Sequence, residues 1–131
     1  MCDADFGTAS YNDPENQLML DSKAMYWFWD LYTPDKSARV NWDAAPLRAE
    51  SLAGLPSAVV LLAEHDVLRD GVHLSLVALE AAGVAVQTQL VPGQMHGFFT
   101  FPNVLPGAKV GLDFVVEALE RALEISASPA T

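Results

Sequence analysis

Two residues of this sequence, Asp66 and His96, have the side-chain types and the placement to act together in proton transfer. Asp66 follows an apolar run that predicts a buried strand, and His96 follows a second predicted strand. Because the carboxyl ends of neighbouring parallel strands meet at one edge of a sheet, about 4.8 Å apart, the two side chains are within reach of each other. A carboxylate on imidazole Nδ1 orients the ring and stabilises the imidazolium that forms when the ring accepts a proton. The pair is therefore a candidate for the acid and base of a nucleophile–His–Asp relay.

The spacing of these residues leaves a simpler interpretation open. Asp66 is also placed to cap the helix that follows it, and His96 is also explained as an ordinary loop histidine. Gly93 and Gly97, on either side of His96, leave its loop free to bend around the ring in either case.

The elements that must position this pair are predicted from hydrophobic periodicity. Residues 57–63 form a continuous apolar run, typical of a parallel strand buried on both faces, and residues 84–91 alternate, as in a strand with one wetter face. A helix is predicted between them over 70–82, with Gly83 at the left-handed C-terminal cap. Strand, helix and strand at this spacing predict a βαβ unit with parallel strands and a right-handed crossover.

The rest of the chain divides into segments of simpler character. A helix over 22–32, capped by Asp21 or Ser22, is apolar on most sides, so we expect it to be covered on most sides. Its pair Trp27 and Trp29 is typical of core, the alternative being the lining of a ligand pocket. The remaining predictions are an irregular N-terminus over 1–16, a connector with a short helical turn over 34–56, a helix over 108–125 and a frayed tail over 126–131, with the core of one domain spanning about 18–125.

The last predicted helix has an apolar stripe that we expect to face the core. Its members share one side at helical spacing: Leu112, Val115, Val116, Leu119, Ala122 and Leu123.

Composition limits the classes of function. The chain has 131 residues, of which 51% are hydrophobic, and a net charge of −10, with a sequence pI near 4.4 and a mean hydropathy of +0.19. This balance excludes disorder as the main state and argues against nucleic acid or anionic membranes as partners. No run is long enough to span a membrane, and the acidic N-terminus does not resemble a secretion signal, so we expect a soluble cytoplasmic α/β domain.

A metal centre is a weaker interpretation of the polar residues. His65, Asp66, His73 and His96 are the candidate ligands, but His65 and His73 lie eight residues apart and lack the i, i+4 spacing of helix-borne zinc ligands. The single cysteine, Cys2, excludes an internal disulfide and a thiolate cage. We expect no metal and no cofactor.

Four motifs in order resemble one enzyme family. They are GLPSAVV at 54–60, EHDVLRD at 64–70, AAGV at 81–84 and HGF at 96–98. They are similar to the C-terminal part of the α/β-hydrolase esterases of the hormone-sensitive lipase type, and the helix over 25–32 resembles the segment upstream. The resemblance covers about residues 11–123. It implies a C-terminal fragment of the α/β-hydrolase fold, with two to three parallel strands and flanking helices.

The resemblance also implies roles. Asp66 would be the acid and His96 the general base of a Ser-His-Asp triad that hydrolyses carboxylic esters through an acyl-enzyme, with a small ester as the substrate of the complete enzyme. The family's nucleophile precedes the acid. No Gly-x-Ser-x-Gly elbow and no His-Gly-Gly-Gly oxyanion loop occurs in these 131 residues.

Two expectations follow from the missing motifs. The chain corresponds to the last third of such an esterase and by itself has no measurable esterase activity, with no nucleophile among its own residues. The alternatives are a non-catalytic remnant or interaction module that keeps only the scaffold, and an unrelated α/β binding domain. The first strand would also leave an open apolar edge, which predicts self-association or a need for a partner fragment.

Overall fold

The computed structural model describes residues 2–123. The helices are α1 (Ala9–Asn12), α2 (Ser22–Tyr32), α3 (Arg69–Ala81) and α4 (Pro106–Ala122), and the strands are β1 (Ala58–His65) and β2 (Val86–Met95). Short 3₁₀ turns fall at Pro14–Asn16, Lys36–Val40, Pro46–Arg48 and Phe98–Thr100. Helices surrounding a parallel sheet confirm the predicted α/β class.

The two strands form the predicted βαβ unit with α3 as the crossover. They pair in parallel and in one-to-one register from Ala58 opposite Val86 to Ala63 opposite Val91. Gly83, at φ +79°, ends α3 in the left-handed region, where a residue without Cβ is favoured. The carboxyl ends of both strands therefore lie at the same edge of the sheet, as the site requires.

The main apolar core lies between α2, the N-terminal segment and the loop after β1. Its buried members are Tyr11, Met25, Trp29, Ala45 and Val67. Trp29 and Val67 are fully buried, so the loop that follows β1 is held against α2 by packing rather than left free. Because Val67 is the neighbour of Asp66, this core sits directly beneath one of the candidate residues.

Helix α2 has the predicted bounds but not the predicted cover. The Asp21 carboxylate caps it by accepting a hydrogen bond from the Ala24 N–H at 2.7 Å. Only Met25 and Trp29 are buried on it, and the expectation of cover on most sides is wrong for the described residues. Its other large apolar side chains are exposed: Tyr26, Trp27, Phe28, Leu31 and Tyr32.

Helix α4 packs on the sheet through small residues rather than through its large apolar stripe. Ala108, Gly111 and Ala118 are buried, whereas Leu112, Val116 and Leu119 are exposed, which corrects the predicted orientation. A Cβ at Gly111 would lie 2.6 Å from Leu61 Cδ2. The absence of that atom lets α4 approach β1 closely, so side-chain size rather than hydrophobicity sets the packed face.

Several segment boundaries also differ from the sequence predictions. Residues 1–16, predicted as irregular, contain α1 and a 3₁₀ turn, and Ser10 and Tyr11 are buried, so the core begins before residue 18. Strand β2 runs to Met95 instead of ending at Val91, through Pro92 and Gly93. The predicted frayed tail, 126–131, and the end of the last predicted helix lie outside the described residues.

Candidate active site

Asp66 and His96 lie side by side at the carboxyl edge of the sheet. His96 Nδ1 is 2.8 Å from Asp66 Oδ2, within hydrogen-bond distance. The side chain of Asp66 is 15% exposed and that of His96 is 39% exposed. An imidazole whose Nδ1 faces a carboxylate carries its available lone pair on Nε2, so the arrangement can accept a proton there.

The Asp66 carboxylate is oriented from both of its oxygens. Oδ1 accepts a hydrogen bond from the Leu68 N–H at 2.8 Å, and Oδ2 faces His96. The first bond closes an Asx turn, which fixes the side chain on its own loop. Burial, with a further contribution from the negative charge of Asp66, raises the pKa of the nearby Tyr11 phenol, so that Tyr11 stays neutral beside the site.

A buried serine locks the loop that carries Asp66. Ser10 is fully buried, and its hydroxyl donates to the Val67 carbonyl at 2.8 Å. The Ser10 N–H donates to Asp70 Oδ2 at 2.8 Å, and the Asp70 N–H donates back to Ser10 Oγ at 3.2 Å. These reciprocal bonds tie α1 to the start of α3 across 60 residues of chain and hold the Asp66 loop from both sides.

His96 is placed by a sharp turn followed by a buried aromatic anchor. Gly97 has φ +77°, a left-handed conformation that favours glycine, and a Cβ there would lie 3.0 Å from the mobile end of the Met19 side chain. Phe98 is buried against Ala63, Val91 and Ala108. The motif HGF therefore has a structural explanation: the glycine turns the chain and the phenylalanine fixes the turn on the sheet.

The Asp66 hydrogen bond raises the pKa of His96 above its ordinary value of 6.5, and the partial burial of the ring opposes that increase. A folded-state pKa above the unfolded one means that the charge-assisted pair stabilises the fold fully below about pH 6.5. That contribution is lost as the pH rises through the folded-state pKa of His96. The same elevated proton affinity suits a general base.

An open groove of about 270 Å³ begins at this pair and runs along β1. It is lined by Asp66 and His96 at one end and by apolar side chains beyond them: Val59, Leu61, Ala63, Phe98, Phe99 and Val115. A polar end with two proton-handling groups and a mostly apolar wall is the general character of a site for a small organic ligand.

A family model of the alpha/beta hydrolase fold matches residues 1–100. The chain belongs to the α/β-hydrolase fold family. The sequence resemblance is confirmed, and the α/β-hydrolase relatives that follow are esterases.

Curated relatives of this α/β-hydrolase include an ethyl acetate hydrolase of Pseudomonas putida, 33% identical over 105 residues, which are 80% of this chain and 33% of the relative. Carboxylesterase NlhH of Mycobacterium tuberculosis is 33% identical over 124 residues, 92% of this chain and 39% of the relative. The chain thus spans a third to two fifths of the length of these esterases.

Solved structures of esterases have the same fold. A thermostable esterase from Pseudomonas putida superposes with a TM-score of 0.77 at 41% identity, covering 84% of this chain and 36% of the other. A fungal esterase from Rhizomucor miehei superposes with a TM-score of 0.85 at 35% identity, covering 95% of this chain and 39% of the other.

The other histidines and the tryptophans that the sequence analysis considered do not contribute to a site with Asp66 and His96. His65 Nε2 lies 3.7 Å from Glu64 Oε2, and His73 is exposed on α3. Within residues 2–123, no group of three or more His, Cys, Asp or Glu side chains is placed to hold a metal ion. Trp29 is core, whereas Trp27 is exposed, so the two tryptophans form no common pocket wall.

Sequence reasoning missed the residues that support this α/β-hydrolase site. Ser10 bonds to the Val67 carbonyl beside Asp66, Asp70 bonds to Ser10, and Glu64 accepts from the Gly93 N–H on the strand that leads to His96, yet none of the three was predicted to support the site. Asp70 belongs to the EHDVLRD motif, which was a usable signal. Ser10 had none, because its partners are about 60 residues away in sequence.

Across residues 2–123, no helix combines the length and the apolar character that crossing a bilayer demands.

Proposed function

We propose that Asp66 and His96 are the acid and the general base of a Ser-His-Asp triad that hydrolyses small carboxylic esters. The observation that carries the proposal is the 2.8 Å approach of His96 Nδ1 to Asp66 Oδ2 at the carboxyl edge of a parallel sheet. Ligands and catalytic groups of open α/β sheets gather at that edge. The esterase names of the relatives supply the substrate class, and a net charge of −10 argues against nucleic acid.

In this scheme His96 moves a proton twice. As a serine hydroxyl attacks the ester carbonyl, His96 Nε2 takes its proton, and Asp66 stabilises the imidazolium. The imidazolium returns that proton to the departing alcohol, which leaves an acyl-serine. His96 then takes a proton from water as the water attacks the acyl group, and it returns the proton to serine as the carboxylic acid leaves.

The serine of that scheme is not among these residues. All eight serines lack the Gly-x-Ser-x-Gly context. Ser10, which closely follows Gly7, is fully buried, and its hydroxyl donates a hydrogen bond to the Val67 carbonyl. The elbow is needed because it projects the hydroxyl from a tight strand-to-helix turn. We therefore propose that the 131-residue chain alone is inactive.

We expect purified chain to hydrolyse p-nitrophenyl acetate no faster than buffer. Loss of a triad nucleophile costs about 10⁶ in turnover, and each missing oxyanion donor a further 10²–10³ or so. The measurement is the release of p-nitrophenol at high protein concentration, with the His96→Ala variant as a matched control. Turnover that His96→Ala abolishes would contradict the proposed inactivity.

The acid and base roles are tested by supplying the missing parts from a relative. The chimera joins the ethyl acetate hydrolase up to its matched region with this chain in place of that region, and hydrolysis of ethyl acetate is measured. If Asp66 and His96 act as proposed, the chimera is active. A cooperatively folded chimera with no activity would refute the roles.

A scaffold without catalysis is the second candidate, and the missing elbow motif is the observation that favours it. It predicts a folded but inactive chimera, so the same experiment separates the two candidates.

We also propose that a second copy of the chain associates through β1. Within residues 2–123, β1 pairs only with β2, so its other edge, in a strand of sequence AVVLLAEH, has no main-chain partner. An exposed apolar edge is a template for strand addition. We expect sedimentation velocity to show dimers or larger species that increase with concentration, and Trp27→Lys on the exposed face of α2 to leave them unchanged. A monomer at every concentration would contradict this.

A further inference from the structure

The β1–β2 ladder is interrupted immediately before the site. Ala63 lies opposite Val91, but His65 lies opposite Met95. One residue of β1, Glu64, thus faces three residues of β2, Pro92, Gly93 and Gln94. Strand β2 carries two extra residues in a bulge, a device that redirects a strand and is frequent beside active sites.

This bulge brings the two site residues level with each other. In unbroken register, Asp66 would lie opposite Gln94, and His96 would be two residues farther along, roughly 6.6 Å at 3.3 Å per residue. With the bulge, His65 lies opposite Met95. The next residue is Asp66 after β1 and His96 after β2, so these two residues lie opposite each other. The 2.8 Å contact between their side chains therefore depends on the two extra residues.

The side chain of Glu64 closes the bulge. Its Oε2 accepts a hydrogen bond from the Gly93 N–H at 2.7 Å, taking the place of a main-chain acceptor. Gly93 has φ +68°, a conformation that glycine adopts without strain, and the preceding residue, Pro92, has no N–H to satisfy. One carboxylate therefore holds the looped-out segment on β1.

Glu64 is itself held in place from the following helix. Arg69 Nη1 donates to the Glu64 main-chain carbonyl at 2.8 Å, and Arg69 stands at the start of α3. The His65 imidazole lies beside the Glu64 carboxylate, with Nε2 3.7 Å from Oε2. The contact of Arg69 with the Glu64 main chain therefore helps to fix the position from which the Glu64 side chain extends to Gly93. Asp66 lies between Glu64 and Arg69 in the same short segment.

We propose that Glu64 is a positioning residue that closes the β2 bulge and so sets His96 opposite Asp66. The proposal deepens the proposed function and rests on it for its catalytic meaning, while the geometric claim concerns the two loops alone. Glu64 acts through Gly93 and touches neither the substrate nor the reacting atoms.

Two conservative variants separate reach from charge. Glu64→Gln keeps the length and an oxygen acceptor but removes the charge, whereas Glu64→Asp keeps the charge but is one methylene too short to reach Gly93. Glu80→Asp, an exposed position on α3, is the matched control for the same shortening. The readout is the pH titration of the imidazole Cε1–H signals by NMR, where three histidines give a simple spectrum.

We expect Glu64→Asp to lower the titration midpoint of His96 by about half to one pH unit, because its hydrogen bond to Asp66 lengthens. Glu64→Gln should lower it less, and Glu80→Asp should leave it unchanged. The Gly93 amide should be protected from hydrogen exchange in the unaltered chain and in Glu64→Gln, which gives a second reading if Glu64→Asp does not fold.

Either of two results would overturn the proposal: a Glu64→Gln effect as large as that of Glu64→Asp, or an unprotected Gly93 amide in the unaltered chain. The first would mean that charge alone acts on His96. Because no reading requires turnover, an inactive chimera with the expected titration pattern would refute the catalytic roles and leave the positioning role intact.

Discussion

Replacing Trp29 with alanine is expected to destabilise the fold severely, so that the variant unfolds at a much lower urea concentration than the unaltered chain. Trp29 is 0% exposed and packs with Tyr11, Met25, Ala45 and Val67. Removal of a buried tryptophan side chain costs about 3–5 kcal/mol, against a total stability of roughly 5–15 kcal/mol for a typical domain. The effect reaches the site, because Val67 is the residue after Asp66.

Two further contacts add to the loss at Trp29. The Tyr32 ring packs on it edge-on with centroids 5.8 Å apart, and the Arg39 guanidinium lies 5.9 Å from its ring centroid. Such contacts are worth about 0.5–1.5 kcal/mol each. Its Nε1 is buried without a partner among the described residues, so Trp29→Phe loses no hydrogen bond and should cost less.

The other two tryptophans provide the controls. Trp27 is 58% exposed and Trp42 is 69% exposed, so alanine at either position should change the free energy of unfolding by no more than about 0.5 kcal/mol. Urea unfolding followed by circular dichroism in dilute solution is the measurement. If Trp29→Ala and Trp27→Ala unfold at the same urea concentration, the core described between α2 and the Asp66 loop is wrong.

The sequence predicted those elements whose signals are local. Helix α2 has an N-cap at Asp21 and a proline shortly after its end, and its bounds are as predicted. The parallel βαβ unit followed from an apolar run, a helical period and Gly83. These features depend on backbone preferences within a few residues, and so pattern analysis recovers them.

Which faces are covered could not be predicted in the same way. Apolar periodicity indicated cover for α2 and for the large side chains of α4, but α4 packs through Gly111 and its small neighbours. How closely a helix and a strand approach depends on the side chains of both elements. The hydrophobic pattern of α4 alone therefore does not predict which of its faces packs on β1.

The proximity of Asp66 and His96 was predictable from the sequence, but the residues that hold the two side chains in place were not. Asp66 and His96 followed from strand ends and from the family resemblance. Pro92 and Gly93 were interpreted as the end of β2 because both residues usually interrupt strands, whereas a side-chain acceptor on Glu64 keeps them in the sheet. Ser10 bonds to residues about 60 positions away, and a single sequence carries no signal for such a contact.

Replacing His96 with alanine in the esterase chimera is expected to reduce turnover of ethyl acetate by about 10⁶-fold, since a triad without its base cannot activate the serine. Asp66→Asn should reduce it by about 10⁴-fold, because the amide keeps the shape but no longer stabilises the imidazolium or the correct tautomer. The two losses should not add, because the residues act as one unit.

His73 serves as the control for these variants, whereas His65 contacts the positioning residue Glu64 and is not used. His65 lies beside Glu64, and His73 is exposed on α3. His73→Ala should leave turnover of the chimera near the unaltered value, and circular dichroism of each variant shows whether it is folded. A loss at His73 comparable with the loss at His96 would show that the effect is not specific to the ring that faces Asp66.

The most direct test of the central claim is kcat for ethyl acetate in the folded chimera, with and without Asp66→Asn. If the carboxylate that approaches His96 to 2.8 Å steers it as a base, the substitution lowers kcat by about four orders of magnitude. A folded Asp66→Asn chimera that turns over substrate within a few-fold of the unaltered chimera would contradict the relay.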